Sequence, residues 1–158
     1  MTAAIAPEPT TQTVTPTTNF PANHPWGHTW FTLLRSPWTS LVLVPARAGA
    51  STVFAAEALA EIGRRHQREP IQVINAEQIA SGDLRAVLNT IVQLSGSTTR
   101  LLIAVSSPLT HDAAIPAARA ADAAVLVVGV GRTPIADAQR TINAIGAQSF
   151  IGAIAVRP

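Results

Sequence analysis

SLVLVPARAGASTVFAAEALAEIG, residues 40–63, decides the fold. Its first six residues, Ser40–Pro45, form a nearly continuous apolar run, as expected of a strand buried on both faces. From Ser51 the apolar residues recur at helical spacing, and a short turn of small residues joins the two patterns. Working outward, the same alternation repeats. Ile71–Asn75 (IQVIN), Leu101–Ser106 (LLIAVS), Ala123–Val130 (AAVLVVGV) and Ile151–Val156 (IGAIAV) read as further strands. Ser51–Gln67, Leu84–Leu94, Asp112–Ala121 and Pro134–Ile145 read as helices. Thr133 and Pro134 supply a capping hydroxyl and a first-turn proline. Strand and helix in strict succession predict an α/β fold: a three-layer sandwich with a mainly parallel five-stranded sheet.

Ahead of the first strand, Trp26, Trp30, Phe31, Leu33 and Leu34 fit a short amphipathic helix. Residues 1–25 hold seven threonines and five prolines, a composition that cannot bury enough surface to order itself. The predicted division is therefore a disordered tail over 1–25 and one domain over 26–158.

Composition narrows the chemistry. Of 158 residues, 47% are hydrophobic and 13% charged, which suits a core-rich globular chain. Cysteine is absent, so a disulfide framework, a thiolate zinc site and a cysteine nucleophile are excluded. The isoelectric point of about 11.0 reflects residue type rather than field strength. All 11 basic residues are arginine, which stays protonated, and the net charge is only +2. The one cluster, Arg64, Arg65 and Arg68, reads as a solvated helix end rather than a nucleic-acid footprint. No stretch reaches the length of a membrane span or has the pattern of a signal peptide, so the expected location is the cytoplasm.

In parallel sheets ligands bind beyond the carboxyl ends of the strands, and the first strand-to-helix turn is the usual place. Here that turn, Val44–Thr52, has the outline of the phosphate-binding loop G-x-x-x-x-G-K-[ST]. Gly49, Ser51 and Thr52 occupy the places of the second glycine and the hydroxyls. Ala50 stands at the lysine position and Val44 at the first glycine. Arg47 is the one cation in the loop, and Arg47, Ala48, Gly49, Ala50, Ser51 and Thr52 are the residues that would hold a phosphate. The alternative is that Ser51 or Thr52 simply caps the helix.

The body from Trp30 to Val156 resembles the cytoplasmic tyrosine-kinase domain of bacterial capsule and exopolysaccharide synthesis, within the MinD/ParA-like P-loop ATPases. Residues 40–63 parallel that family's strand, loop and first helix. IQVINAEQI (71–79) parallels its D-x-D strand, and LLIAVSSPL (101–109) its D-T-P-P strand. Residues 111–156 follow its C-terminal pattern, with Asp112 at a helix start, Asp122 before a V-x-V-V strand, and Arg-Thr opening the last helix. The resemblance implies a strand order of 2-3-1-4-5.

The departures fall on the chemistry. Asn75 replaces an acidic residue, Glu77 holds the second acidic place, and Val105 replaces the aspartate of D-T-P-P. The family's oligomer motif would fall on Thr29, Thr32 and Arg35, and only Arg35 matches. Without the lysine and both carboxylates, phosphoryl transfer has nothing to organise its charge. The resemblance thus implies a pseudoenzyme without a cofactor or metal. It would be a regulatory or scaffolding partner of a membrane polysaccharide co-polymerase or an active kinase homologue, peripheral at the inner membrane through that partner. A homo-oligomer is compatible with it. The alternative is a weak ATP- or ADP-binding switch serving cellulose secretion, pilus assembly or positioning. Trp26, Trp30 and Trp38 offer either ordinary packing over the sheet or, with Arg35, an anchor for a partner.

Two further patterns carry less. Ser106, Ser107, His111 and Asp112 contain the letters of a hydrolase triad but no G-x-S-x-G. Gly129-x-Gly131 lacks the third glycine of a dinucleotide fingerprint.

Overall fold

Five strands, β1 (Ser40–Pro45), β2 (Ile71–Ala76), β3 (Arg100–Val105), β4 (Ala123–Gly129) and β5 (Phe150–Val156), form one all-parallel sheet ordered β2-β3-β1-β4-β5. The computed structural model describes residues 25–79 and 81–157. The expected Thr/Pro tail lies, except for Pro25, outside them.

β1 is central and buried along its whole length. Its side chains alternate between two cores, as the strand period requires. Leu41 and Leu43 face α1 (Trp26–Leu33) and α2 (Val53–His66). Val42 and Val44 face the opposite layer of α3 (Ser81–Leu94), α4 (Ala114–Ala120) and α5 (Ile135–Ile145). Both faces of β1, β3 and β4 are covered, which explains why these strands read as continuous apolar runs rather than alternating ones.

The tryptophans belong to the first core. Trp26, Trp30 and Trp38 are 7%, 0% and 5% exposed, so the reading of them as surface anchors for a partner gives way to packing. Trp30 meets Trp38 edge-on with ring centroids 5.9 Å apart, and Trp26 meets Phe54 likewise at 6.4 Å. The Trp38 indole N–H donates to the Leu33 carbonyl at 2.9 Å. Arg100 lies over the Trp38 ring, 4.7 Å from its centroid, and donates to the Trp38 carbonyl at 2.6 Å. Arg35 is exposed. Gly63 of α2 makes the helix contact possible: a Cβ there would lie 2.7 Å from the Trp30 ring and 2.3 Å from Ile71 Cδ1.

At the amino end of the sheet, Asp122 ties β4 to β1. Its Oδ2 accepts from the backbone N–H of Thr39 at 2.6 Å and of Ser40 at 3.2 Å. Its own N–H donates back to Ser40 Oγ at 2.9 Å. Two expected caps differ. The Thr133 hydroxyl accepts from the Gly129 N–H at 3.0 Å and leaves α5 to start after Pro134. Asp112 stands two residues before α4, whose N-cap is Ala113, and α4 has no side-chain cap. Hydroxyls and carboxylates have several backbone groups within reach, and here the loop wins over the helix end. Among the described residues no helix is long and apolar enough to cross a membrane.

Candidate functional site

The β1–α2 turn stands at the carboxyl end of the central strand, flanked by the ends of β3 and β4. Ala46 N–H continues the pairing with β4, donating to the Val127 carbonyl at 2.9 Å. The chain then turns through Gly49, whose φ of +80° is a conformation that glycine adopts without strain. Ala50 N–H closes the turn on the Arg47 carbonyl at 3.2 Å.

The two hydroxyls divide their work. Thr52 is fully buried, and its Oγ1 donates to the Leu43 carbonyl at 3.1 Å. It pins the start of α2 to β1 and makes no cap bond with its side chain. Ser51 is exposed, and its Oγ accepts from the Val53 N–H at 3.3 Å. Of the two capping candidates, Ser51 is the one that serves the helix end.

Glu77 completes the arrangement from across the sheet. Its Oε1 lies 2.8 Å from Ser51 Oγ and 2.7 Å from the Thr52 N–H, and its Oε2 lies 3.0 Å from Ser51 Oγ. The carboxylate thus takes up backbone and hydroxyl donors at the α2 N-terminus, where helix geometry favours a negative charge. Glu77 is held there by its own segment. Its N–H donates to Asn75 Oδ1 at 3.1 Å, and the Ser106 hydroxyl donates to its carbonyl. Asn75, at an expected acidic position, therefore has a local structural part. Val105 is buried in the second core and brings no polar atom to the site.

Two hollows border the turn, sharing Ala50 and Ser51. One, of about 470 Å³, lies over β2 and β3 and is lined by Glu77, Ser106, Ser107, Thr110 and His111 among others. The other, of about 410 Å³, lies over β4 and β5 and contains Arg47, Phe54, Arg132 and Arg157. Ser106, Ser107, His111 and Asp112 do not assemble a triad. His111 Nδ1 is 3.0 Å from Thr110 Oγ1, the Ser107 hydroxyl accepts from Leu109 N–H, and Ser106 is committed to Glu77. Among the described residues no three His, Asp or Glu side chains group together to hold a metal ion.

Arg157 is not singled out by any motif, and Arg132 enters only as the arginine of the Arg-Thr pair before the last helix. The signal for them is positional: in the order 2-3-1-4-5 the ends of β1, β4 and β5 are neighbours, and an arginine follows each end within three residues. Comparison with known proteins finds no matching family and no significantly similar curated protein.

Proposed function

We propose that this chain is a catalytically inactive, P-loop-kinase-like protein that acts as a regulatory or scaffolding partner in bacterial exopolysaccharide or capsule synthesis and export. The observation that carries the inactive part is the Glu77 carboxylate on Ser51 and Thr52. A phosphate arriving at the turn meets a like charge already holding its donors. The loop has no lysine to offset that repulsion, because the chain contains none. Asn75 and Val105 bring no carboxylate for a magnesium ion. The pathway is supported by the sequence resemblance, in which the partner is a membrane polysaccharide co-polymerase or an active kinase homologue.

A second reading, a weak ATP- or ADP-responsive switch of the MinD/ParA-like group, draws support from the exposure of the Ser51–Glu77 contact, which a competing anion can reach. Titration with ATP and ADP, with and without magnesium, by calorimetry and thermal shift separates the two. The scaffold reading expects no saturable binding at millimolar nucleotide and no phosphate release. Micromolar binding that weakens in Arg47→Ala replaces it with the switch. The pathway is tested by deleting the gene in the producing bacterium and measuring secreted polysaccharide. Wild type and Ser51→Ala should restore it equally, and an unaltered polysaccharide on deletion overturns the assignment.

A further inference from the structure

The two edges of the sheet are finished differently. At the β2 edge, the Pro70 carbonyl points to β3 and accepts from the Arg100 N–H at 2.9 Å, so the backbone groups of Ile71 point away from the sheet. Arg64 of α2 donates to that outward Ile71 carbonyl at 3.0 Å. The exposed Gln72 and Asn75 set polar side chains along the same strand. Polar and charged groups of this kind block an edge against further pairing. The β5 edge has none of them. The Val156 carbonyl points to β4 and accepts from the Val130 N–H at 2.8 Å, so strand alternation turns the backbone N–H and C=O groups of Ala153 and Ala155 outward. Among the described residues these groups have no partner, since β5 pairs with β4 alone. The strand, FIGAIAV, holds no charge and no proline, and Gly152, Ala153 and Ala155 are exposed.

We propose that the β5 edge pairs, antiparallel and about a two-fold axis, with the β5 edge of a second copy of this chain, joining two five-stranded sheets into one. A second copy fits because antiparallel pairing is self-complementary: the donors and acceptors that one edge offers are those its own two-fold image requires. With the axis at Ile154, Ala153 of each copy exchanges N–H···O=C bonds with Ala155 of the other. Ile154 then faces its own counterpart on the α1 side and extends the first core across the axis. Val156 of each copy meets Gly152 of the other, beside which a side chain finds open space. Arg157, the charged residue next to the strand, is carried to opposite ends, about 20 Å from its counterpart, so like charges do not oppose each other. The pairing uses β5 and not Thr29, Thr32 and Arg35, and it goes beyond the proposed function without depending on it.

Sedimentation equilibrium of the full chain over a concentration series tests this. The expected result is a reversible dimer, with twice the 16.5 kDa mass of one chain. Ala153→Pro removes an outward N–H and Ala153→Lys puts a charge on the edge, and each should leave only monomer. Both act at an exposed position whose backbone points away from β4, so circular dichroism of the dilute variants should match that of the dilute wild type. Arg35→Ala should leave the dimer unchanged. The register is read by cysteine cross-linking, since the chain has no cysteine of its own. Under oxidation an equimolar mixture of Ala153→Cys and Ala155→Cys should form a disulfide-linked dimer. Either variant alone should form much less, because residues offset by two on facing strands are too far apart for a disulfide. A monomer at every concentration, a dimer that persists in both Ala153 variants or is lost in Arg35→Ala, or cross-linking no greater in the mixture than in the single variants each overturns the proposal.

Discussion

The Glu77 carboxylate bridges the hydroxyl of Ser51 and the backbone N–H of Thr52, joining the end of β2 to the start of α2 across 25 residues of chain. It puts a negative charge where an oxyanion ligand would otherwise be welcomed. Glu77→Ala should therefore open the turn to inorganic phosphate. The melting temperature of the variant should rise with phosphate concentration, while that of the wild type stays flat. In the absence of phosphate the variant should lose about 1 kcal/mol, the worth of a partly exposed helix-end carboxylate. An equal phosphate response in both proteins would show that the carboxylate blocks nothing.

Gly63 is a packing prediction. Alanine raises helix propensity by up to about 1 kcal/mol. Its Cβ, however, collides with the Trp30 ring, which is fully buried and has nowhere to go. Overpacking of this kind costs about 1–3 kcal/mol, so Gly63→Ala should be net destabilising in urea unfolding. Gly27, with nothing near its missing Cβ, is the matched control and should tolerate alanine.

Asp122 clamps Thr39 and Ser40 from the start of β4. Asp122→Ala removes the acceptor for two N–H groups, one at 2.6 Å, and should cost about 1–2 kcal/mol. Ser40→Ala breaks the return bond and should cost less. Because the two share one network, a double-mutant cycle in chemical denaturation should give a non-zero coupling.

Arg100→Lys tests the cation over Trp38. Lysine keeps the charge but loses the planar group that covers the ring and donates to the Trp38 carbonyl in one geometry. A loss of about 1 kcal/mol is expected, with a change in tryptophan fluorescence of the folded protein. An unchanged stability and spectrum would mean that the stacked geometry contributes nothing.

The three inner strands are legible in the sequence because burial on both faces leaves mostly apolar residues between punctuating turns, while the edge strands β2 and β5 keep exposed positions. The expected Ser40–Pro45 and the observed β1 coincide, and β4 and β5 differ from expectation by a residue at an end. The sheet order is legible only through the resemblance, since nothing in five similar strands specifies their neighbours. The turn at Gly49 is legible for a different reason, a glycine and two hydroxyls at fixed spacing. What the sequence hides is pairing at a distance. Glu77 reaches Ser51 only because β2, β3 and β1 are in register, and Arg132 lines one hollow with Arg47 and Arg157 only because β4 and β5 follow β1 in the sheet. Tryptophans near a polar tail fit either packing over the sheet or an anchor for a partner on composition alone. Their burial follows from α1 lying on α2, which requires the absence of a side chain at Gly63.

Phe54 touches two parts of the molecule at once: it lines the arginine-ringed hollow, and its ring meets the edge of Trp26 at the first residue of α1. Residues 54 and 26 are thus not free to diverge separately. A bulkier or smaller ring at 54 changes the hollow and the Trp26 contact together, while Trp30 over Gly63 still seats α1 on α2. Through that one shared side chain, the shape of the hollow and the attachment of the amino-terminal helix are expected to change together over evolutionary time.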